Sequence, residues 1–402
     1  LSKDALAFYE SLVSDKAVDL KPLKIQYKDY ASWQLDQLAT ESLATQRKYW
    51  TNALSGDLPQ LNLPAFQKRP VIKTNRGQGL STFIDIEVTE KLRSHAMENG
   101  GSLCMELLTV WNVLMFRYTN QRDIITGTPV AGREHADLED QIGFYVNTLA
   151  LRNTIDPDQD YNTVFERVKT NTLKAYDHQM YPFDRLVEDL NLQRDTSRSA
   201  VFDIILTLQN TRVEVEEFKL LTEEINEIKL QENDLAKFDL DITFQEVGSY
   251  LSFHILYNAD VYDQEIITNI IRHYKQLLKA ITNDPALKIG ELDFLSVNEK
   301  ENLLIGLNNT SIDCPESTIV ELFEAQVEKT PNEVAVVFEN RSLTYKELNE
   351  KANQLANYLI SNYQIDSEDL IGIKQHRSDW MVVSMLGVLK AGAAYVPIDP
   401  TY

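Results

Sequence analysis

Proton transfer near neutral pH falls first to histidine, and this chain has six of them: His95, His135, His178, His254, His273 and His376. No two stand four residues apart, the spacing that lets a pair share one helix face around a metal, so no metal site is expected. Each reads as a surface or hydrogen-bonded structural histidine, not a general base. The motifs that carry their own mechanism are missing: there is no GxSxG elbow, no HExxH helix, no GxxxxGK phosphate loop and no GxGxxG turn. Asp239 and Asp241 stand two apart, as a carboxylate pair on one strand face would. Alternating with Leu240 and Ile242, they read as a solvated face. Residue types alone therefore name no complete active site.

Composition removes several function classes. Sixty-one acidic against 39 basic residues give a net charge of −22, which repels phosphate backbones and anionic headgroups, so nucleic acid and membrane surfaces are excluded as partners. Cys104 and Cys314 lie far apart with no CxxC spacing, so neither a disulfide framework nor a zinc site is expected and a reducing, cytoplasmic location fits. In such a compartment the glycosylation pattern Asn308-Asn309-Thr310 means nothing. No apolar run reaches the roughly 18 residues of a membrane span. The chain begins at Leu1 and stops at Tyr402, directly after the apolar-rich Ala394–Pro400, and both ends read as cut.

The elements that must position any site read as mixed α/β. Ala5, Leu6, Phe8, Tyr9, Leu12 and Val13 predict an amphipathic helix whose packing partner lies upstream. A strand is predicted over Ser81–Val88, an apolar helix over Leu103–Tyr118, and strands over Asp123–Pro129 and Val146–Arg152. Asn162–Tyr176 follows as a helix and Asp203–Leu208 as a buried strand. Phe238–Phe244 and Leu251–Tyr257 alternate with period two and predict an antiparallel hairpin. Ile266, Ile267, Ile270, Ile271, Tyr274, Leu277, Leu278 and Ile281 trace a helical stripe. The pattern loosens over 296–318, read as an interdomain linker. Beyond it come a helix at Ile319–Glu328, a strand at Val334–Phe338, a helix from Thr344, a strand near Leu370–Ile373, a helix to Lys390 and a strand at Tyr395–Ile398.

Four stretches, in order, resemble the condensation domains of nonribosomal peptide synthetases. Gln26 to Gln34, with Tyr27, Asp29, Tyr30 and Trp33, is similar to the motif Y-x-D-Y-A-x-W-Q. Gly132-Arg133, Leu138-Glu139 and Ile142-Gly143-Phe144-Tyr145-Val146-Asn147-Thr148, ending at Arg152, resemble the stretch GR…LE…IGxFVNT…R. His178-Gln179-Met180-Tyr181-Pro182-Phe183-Asp184 resembles HQdyPFe, and Arg194-Asp195-Thr196-Ser197-Arg198 through Phe202 resembles RDxSRxPlF. The departures are Met180 for an acidic residue, Asp184 for Glu, and Ser199-Ala200 for Asn-Pro. Further on, Leu343 to Leu348, with Tyr345, resembles the first motif of amino-acid adenylation domains. Leu389 to Pro400, with Gly392, Pro397 and Asp399, resembles their second motif.

The resemblance implies a fold and a chemistry. Residues 1–295 would be the C-terminal part of a condensation domain, a lobe like chloramphenicol acetyltransferase, with 1–45 a residual helix and lobe connection. Residues 319–402 would begin an AMP-binding domain. The implied reaction joins aminoacyl and peptidyl thioesters held on upstream and downstream carrier proteins by 4'-phosphopantetheine arms; ATP and Mg2+ would serve only a complete adenylation domain. The family assigns catalysis to an HHxxxDG motif, and no His-His pair occurs here, so the chain alone is expected to be inactive. Arg133 would bridge to that motif's Asp, with Asn147, Thr148, Gln209 and Asn210 near the substrate tunnel. Tyr30 and Trp33 would be lobe-packing anchors, Tyr181-Pro182-Phe183 a rigid aromatic turn, and Phe238–Phe244 the strand that latches onto the other lobe. Two alternatives stay open: an epimerization-type lobe on the same scaffold, and a non-catalytic carrier-protein docking module.

Overall fold

Period-two alternation builds the heart of the molecule. In the computed structural model Leu240, Ile242 and Phe244 point one way from a strand and are fully buried, as are Leu251, Phe253, Ile255 and Tyr257 on its hairpin partner. The structure describes residues 2–402 except 16, 19, 21, 66, 67, 194, 214–226, 249, 314 and 315, and gives the backbone alone at 2, 3, 41, 210–213 and 231–234. It divides into two compact units, Leu1–Gly306 and Leu307–Tyr402.

In the first unit the helices α1 (Ser2–Ser14), α2 (Tyr27–Ala39) and α3 (Ala44–Ala53) precede strand β1 (Arg76–Ile84). Then come α4 (Ile86–Glu98), α5 (Leu103–Thr119), β2 (Asp123–Val130), β3 (Asn147–Thr154), α6 (Tyr161–Asp177), α7 (Phe183–Leu190) and β4 (Ile204–Val213). Strands β5 (Lys229–Leu235), β6 (Leu240–Val247) and β7 (Tyr250–Asn258) and helices α8 (Gln264–Asn283) and α9 (Val297–Glu301) complete it. Seven strands form one sheet in the order β3-β2-β4-β6-β7-β1-β5, with β4 parallel to both its neighbours and every other pair antiparallel. Helix α5 is buried from Met105 to Phe116 because α4, α6 and α8 pack around it.

Three expectations change. The strand predicted over Ser81–Val88 ends at Ile84, because Asp85 accepts a hydrogen bond from the Glu87 N–H and caps α4 instead. The strand expected to latch onto another lobe is β6, an interior strand paired to β4 on one side and β7 on the other. The opening part of the segment read as linker is helical: Ser296 and Glu299 cap α9 reciprocally, and Glu299 also bonds His273 on α8 at 2.9 Å. The apolar residues of α1 remain exposed among the described residues, from 53 % at Phe8 to 83 % at Leu12.

The second unit holds α10 (Ile319–Lys329), the antiparallel pair β8 (Val334–Phe338) and β9 (Arg341–Thr344), then α11 (Tyr345–Asn362), β10 (Leu370–Lys374), α12 (Asp379–Lys390) and β11 (Ala394–Ile398). Strands β10 and β11 run parallel, and Leu343, Leu348, Ala352, Val383 and Leu386 form a small core. Among the described residues no helix is long and apolar enough to cross a membrane.

Candidate functional site

Three of the four motif stretches meet at one cleft of about 270 Å³. Its lining comes from α2 (Tyr27, Tyr30, Gln34), from the loop leading into β3 and the start of that strand (Phe144 through Thr148), and from the turn before α7 (Gln179, Met180, Pro182).

Helix α2 starts with a capping box in which the Asp29 carboxylate accepts from the Gln26 N–H at 2.8 Å, so Asp29 is a structural cap. Tyr27, Tyr30 and Gln34 follow at helical spacing and share a face. That face packs on Tyr145, whose ring lies 4.7 Å from Tyr30 and 5.2 Å, edge-on, from Tyr27; the Tyr27 hydroxyl donates to the Phe144 carbonyl at 3.2 Å. Gly143 permits this approach, since a Cβ there would stand 2.4 Å from the Tyr27 ring. Trp33 packs on Tyr30 at 5.7 Å and is 43 % exposed. Burial, helped by nearby Glu134, pushes the Tyr30 phenol above its usual pKa, so it enters the cleft as a neutral hydrogen-bonding group.

Arg133 stands behind this wall. Its guanidinium lies 4.5 Å from the centre of the Tyr145 ring and donates to the carbonyls of Leu138 and Gln141, each at 3.1 Å. Gln141 in turn donates to the carbonyl of Ile25, just ahead of α2, at 2.8 Å. Gly132, at φ +63, is held to glycine because a Cβ would meet the Tyr145 carbonyl oxygen at 2.0 Å. Nη1 of Arg133 makes no hydrogen bond among the described residues.

Asn147 joins the second stretch to the third. Its Nδ2 donates to the carbonyls of Gln179 (2.7 Å) and Tyr181 (2.8 Å), and its Oδ1 accepts from the N–H groups of Phe183 (3.0 Å) and Thr148 (2.8 Å). One side chain thus satisfies four backbone groups and sets the turn that forms the far wall. Pro182 stands at the N-terminal boundary of α7 and Phe183 packs on Phe202 at 5.4 Å. The Thr148 hydroxyl makes no hydrogen bond among the described residues.

Other motif residues lie elsewhere. Gln209 is exposed in the middle of β4 and does not line the cleft; Asn210 beside it is described by its backbone alone. His178 stacks on Tyr49 at 4.0 Å and uses Nδ1 on the Lys174 carbonyl, a structural position. Arg152 grips Asp123 with two nitrogens and donates to the carbonyls of Ser55 and Asp57, fastening the chain that leaves α3. None of the six histidines lines the cleft.

The fourth stretch ties down the sheet's other end. Asp195 accepts from the N–H and hydroxyl of Ser197, Arg198 pairs with Asp203 at 2.5 Å, and Arg194 falls outside the described residues. Asp239, read as part of a solvated face, has no exposed surface; it pairs with Arg69 at 2.5 Å, and burial lifts its carboxyl above the usual range. Alternation places it beside polar residues, and the segment 69–73, whose Arg69 reaches it, helps to make that face an interior. Two further groups carry no sequence signal: the Arg69–Lys73 strap, and a buried set in which His95 and Tyr161 both bond Glu106 at 2.5 Å.

In the second unit Tyr345 opens α11 against Phe323, Gly392 turns the chain after α12, Pro397 lies in β11 opposite Ile373, and Asp399 accepts from Thr401. Among the described residues no three His, Cys, Asp or Glu side chains are grouped to hold a metal ion.

Residues 1–304 match the family model for the condensation domain. The chain belongs to the condensation domain family. Behind the condensation segment, residues 323–402 match the model for AMP-binding enzymes. Tyrocidine synthase 3 of Brevibacillus parabrevis is 41 % identical over 388 residues, 96 % of this chain and 6 % of that protein. Bacitracin synthase 2 of Bacillus licheniformis is 38 % identical over 400 residues, 100 % of this chain and 15 % of that protein. The chain therefore spans a small part of the length of these relatives. A four-domain nonribosomal peptide synthetase crystallised with AMP and glycine superimposes with a TM-score of 0.77 at 22 % identity, over 89 % of this chain and 28 % of that one, a likeness of fold. The condensation segment is thus an α/β lobe followed by the start of an AMP-binding fold.

Proposed function

We propose that this chain is a section of a nonribosomal peptide synthetase module, in which the condensation segment helps form a peptide bond between carrier-bound thioesters and the following segment begins an amino-acid-activating domain. The order of the two family matches along one chain carries the reading. The junction between the two segments falls in the part of 296–318 that follows α9, and a cytoplasmic location goes with this role.

The reaction attacks a thioester carbonyl with the α-amino group of an aminoacyl thioester, releasing a thiol. It needs alignment more than covalent help from the protein. The cleft suits alignment: Tyr30, Gln34 and Thr148 offer neutral polar atoms, Phe144, Val146 and Met180 offer apolar wall, and no histidine stands at its base. The 4'-phosphopantetheine arms of upstream and downstream carrier proteins would bring both substrates to it. Arg133, positioned by Tyr145, would extend Nη1 to a carboxylate of a preceding lobe. Residues 319–402 contain no glycine-rich phosphate loop, so they do not fit ATP and Mg2+ by themselves.

With loaded donor and acceptor carrier proteins, the complete synthetase carrying this chain should yield a dipeptidyl product by mass spectrometry, and the 402-residue chain should yield none. Product from the chain alone, or none from the complete synthetase, would overturn the reading.

A further inference from the structure

Beyond the condensation cleft, at the Asp123 end of β2 instead of its Val130 end, lies a second cavity of about 850 Å³. Ser199, Ala200 and Val201 line it. The Ser199 hydroxyl stands 2.5 Å from the Lys73 ammonium nitrogen. We propose that Ser199 and Lys73 form a nucleophile–base pair that hydrolyses small esters or thioesters whose acyl group carries a positively charged amine.

Lys73 is placed to act as a base. Its backbone N–H donates to the Thr196 carbonyl at 2.8 Å, which fixes the strap beside the serine, and its Nζ also reaches the Lys237 carbonyl at 2.8 Å. The two nearby carboxylates are already held by arginines, Asp203 by Arg198 and Asp239 by Arg69, and Lys73 makes no ion pair among the described residues. Burial then lowers the Lys73 pKa, which favours the neutral amine a base requires. Ser199 is held by its own N–H, which donates to Asp203 at 3.1 Å. Ala200 and Val201, which follow Ser199 in the cavity lining, have backbone N–H groups with no hydrogen bond among the described residues, and these would serve a developing oxyanion next to the nucleophile. Asp123, Glu188 and Asp203 in its lining are each paired with an arginine, whereas Asp57 and Asp195 make no ion pair among the described residues, so the unneutralised charge around it is negative and favours a cationic acyl group.

The step balances with water alone. Ser199 Oγ passes its proton to Lys73 Nζ and attacks the acyl carbon; the carbon–sulfur bond breaks and the thiolate takes that proton. Water then gives a proton to Lys73 and attacks the acyl-serine, releasing the acid as Ser199 regains its proton.

This activity does not depend on the condensation reading, so the two can fail separately. The 402-residue chain is incubated with the glycyl thioester of N-acetylcysteamine, thiol release is followed, and the chain is also treated with a fluorophosphonate and digested for mass spectrometry. Release above buffer is expected, with the probe on Ser199 and at least a tenfold loss in Ser199→Ala, which removes only a hydroxyl and should melt like the parent. Lys73→Met should lose as much. Release no faster than buffer, or a Ser199→Ala variant as fast as the parent, would overturn the pair. The N-acetylglycyl thioester should react at least threefold more slowly; equal rates would overturn the assigned substrate class.

Discussion

Replacing Asn147 with alanine removes, in one step, the partners of two carbonyls and two N–H groups in and beside the turn 179–183. Each such bond contributes a net of about 0.5–1.5 kcal/mol, and a group stranded away from water costs more than one that water can reach. Asn147 is half-buried, so water replaces part of what is lost, and the unfolding free energy of the first unit should fall by about 2–4 kcal/mol. Urea unfolding measures it, with the midpoint moving and the slope unchanged. Hydrogen exchange locates it: amides 178–183 should lose protection while those of the distant hairpin β6–β7 change only with global stability. Asn147→Asp is the discriminating partner. It keeps an acceptor for Phe183 and Thr148 but turns an oxygen toward the carbonyls of Gln179 and Tyr181, so it should rescue little. A loss under about 1 kcal/mol with unchanged exchange at 178–183 would refute the view that this side chain holds the turn.

Gly143→Ala places a methyl against the Tyr27 ring and should lower stability by about 1–3 kcal/mol, with the near-ultraviolet tyrosine signal altered; an unchanged melting curve would show that α2 can shift freely. Arg69→Ala leaves Asp239 buried without its cation, a cost of about 3–5 kcal/mol in chemical denaturation, whereas Arg122→Ala on a polar surface turn should cost little. The hydrogen bond to Glu106 raises the His95 pKa against the effect of burial, so its stabilisation is fully present below the unfolded value of about 6.5 and is lost as pH rises through the higher folded value. The stability gap between the parent and His95→Gln should therefore shrink as pH is raised across that window; a gap that widens would contradict the network.

Local patterns in the sequence determined much of this protein. The stripe from Ile266 to Ile281 is α8, the alternation from Leu240 to Phe244 and from Leu251 to Tyr257 is the β6–β7 hairpin, and the ordered motif stretches point to the family the chain belongs to. These are short-range signals, because helix and strand periods are carried by neighbouring residues. Helix α2 carries a weak signal, since it buries no side chain and its apolar and polar residues are poorly segregated, while α7 is amphipathic but only eight residues long, too short for its period to stand out. The tertiary structure alone decided which stretches meet. Asn147 closes a turn more than thirty residues away, as its bonds to Tyr181 and Phe183 show, and Arg69 finds Asp239 across 170 positions. No local period encodes such pairings, because they arise only when the sheet order brings the strand ends together, and that order is set by long-range burial summed over the whole core.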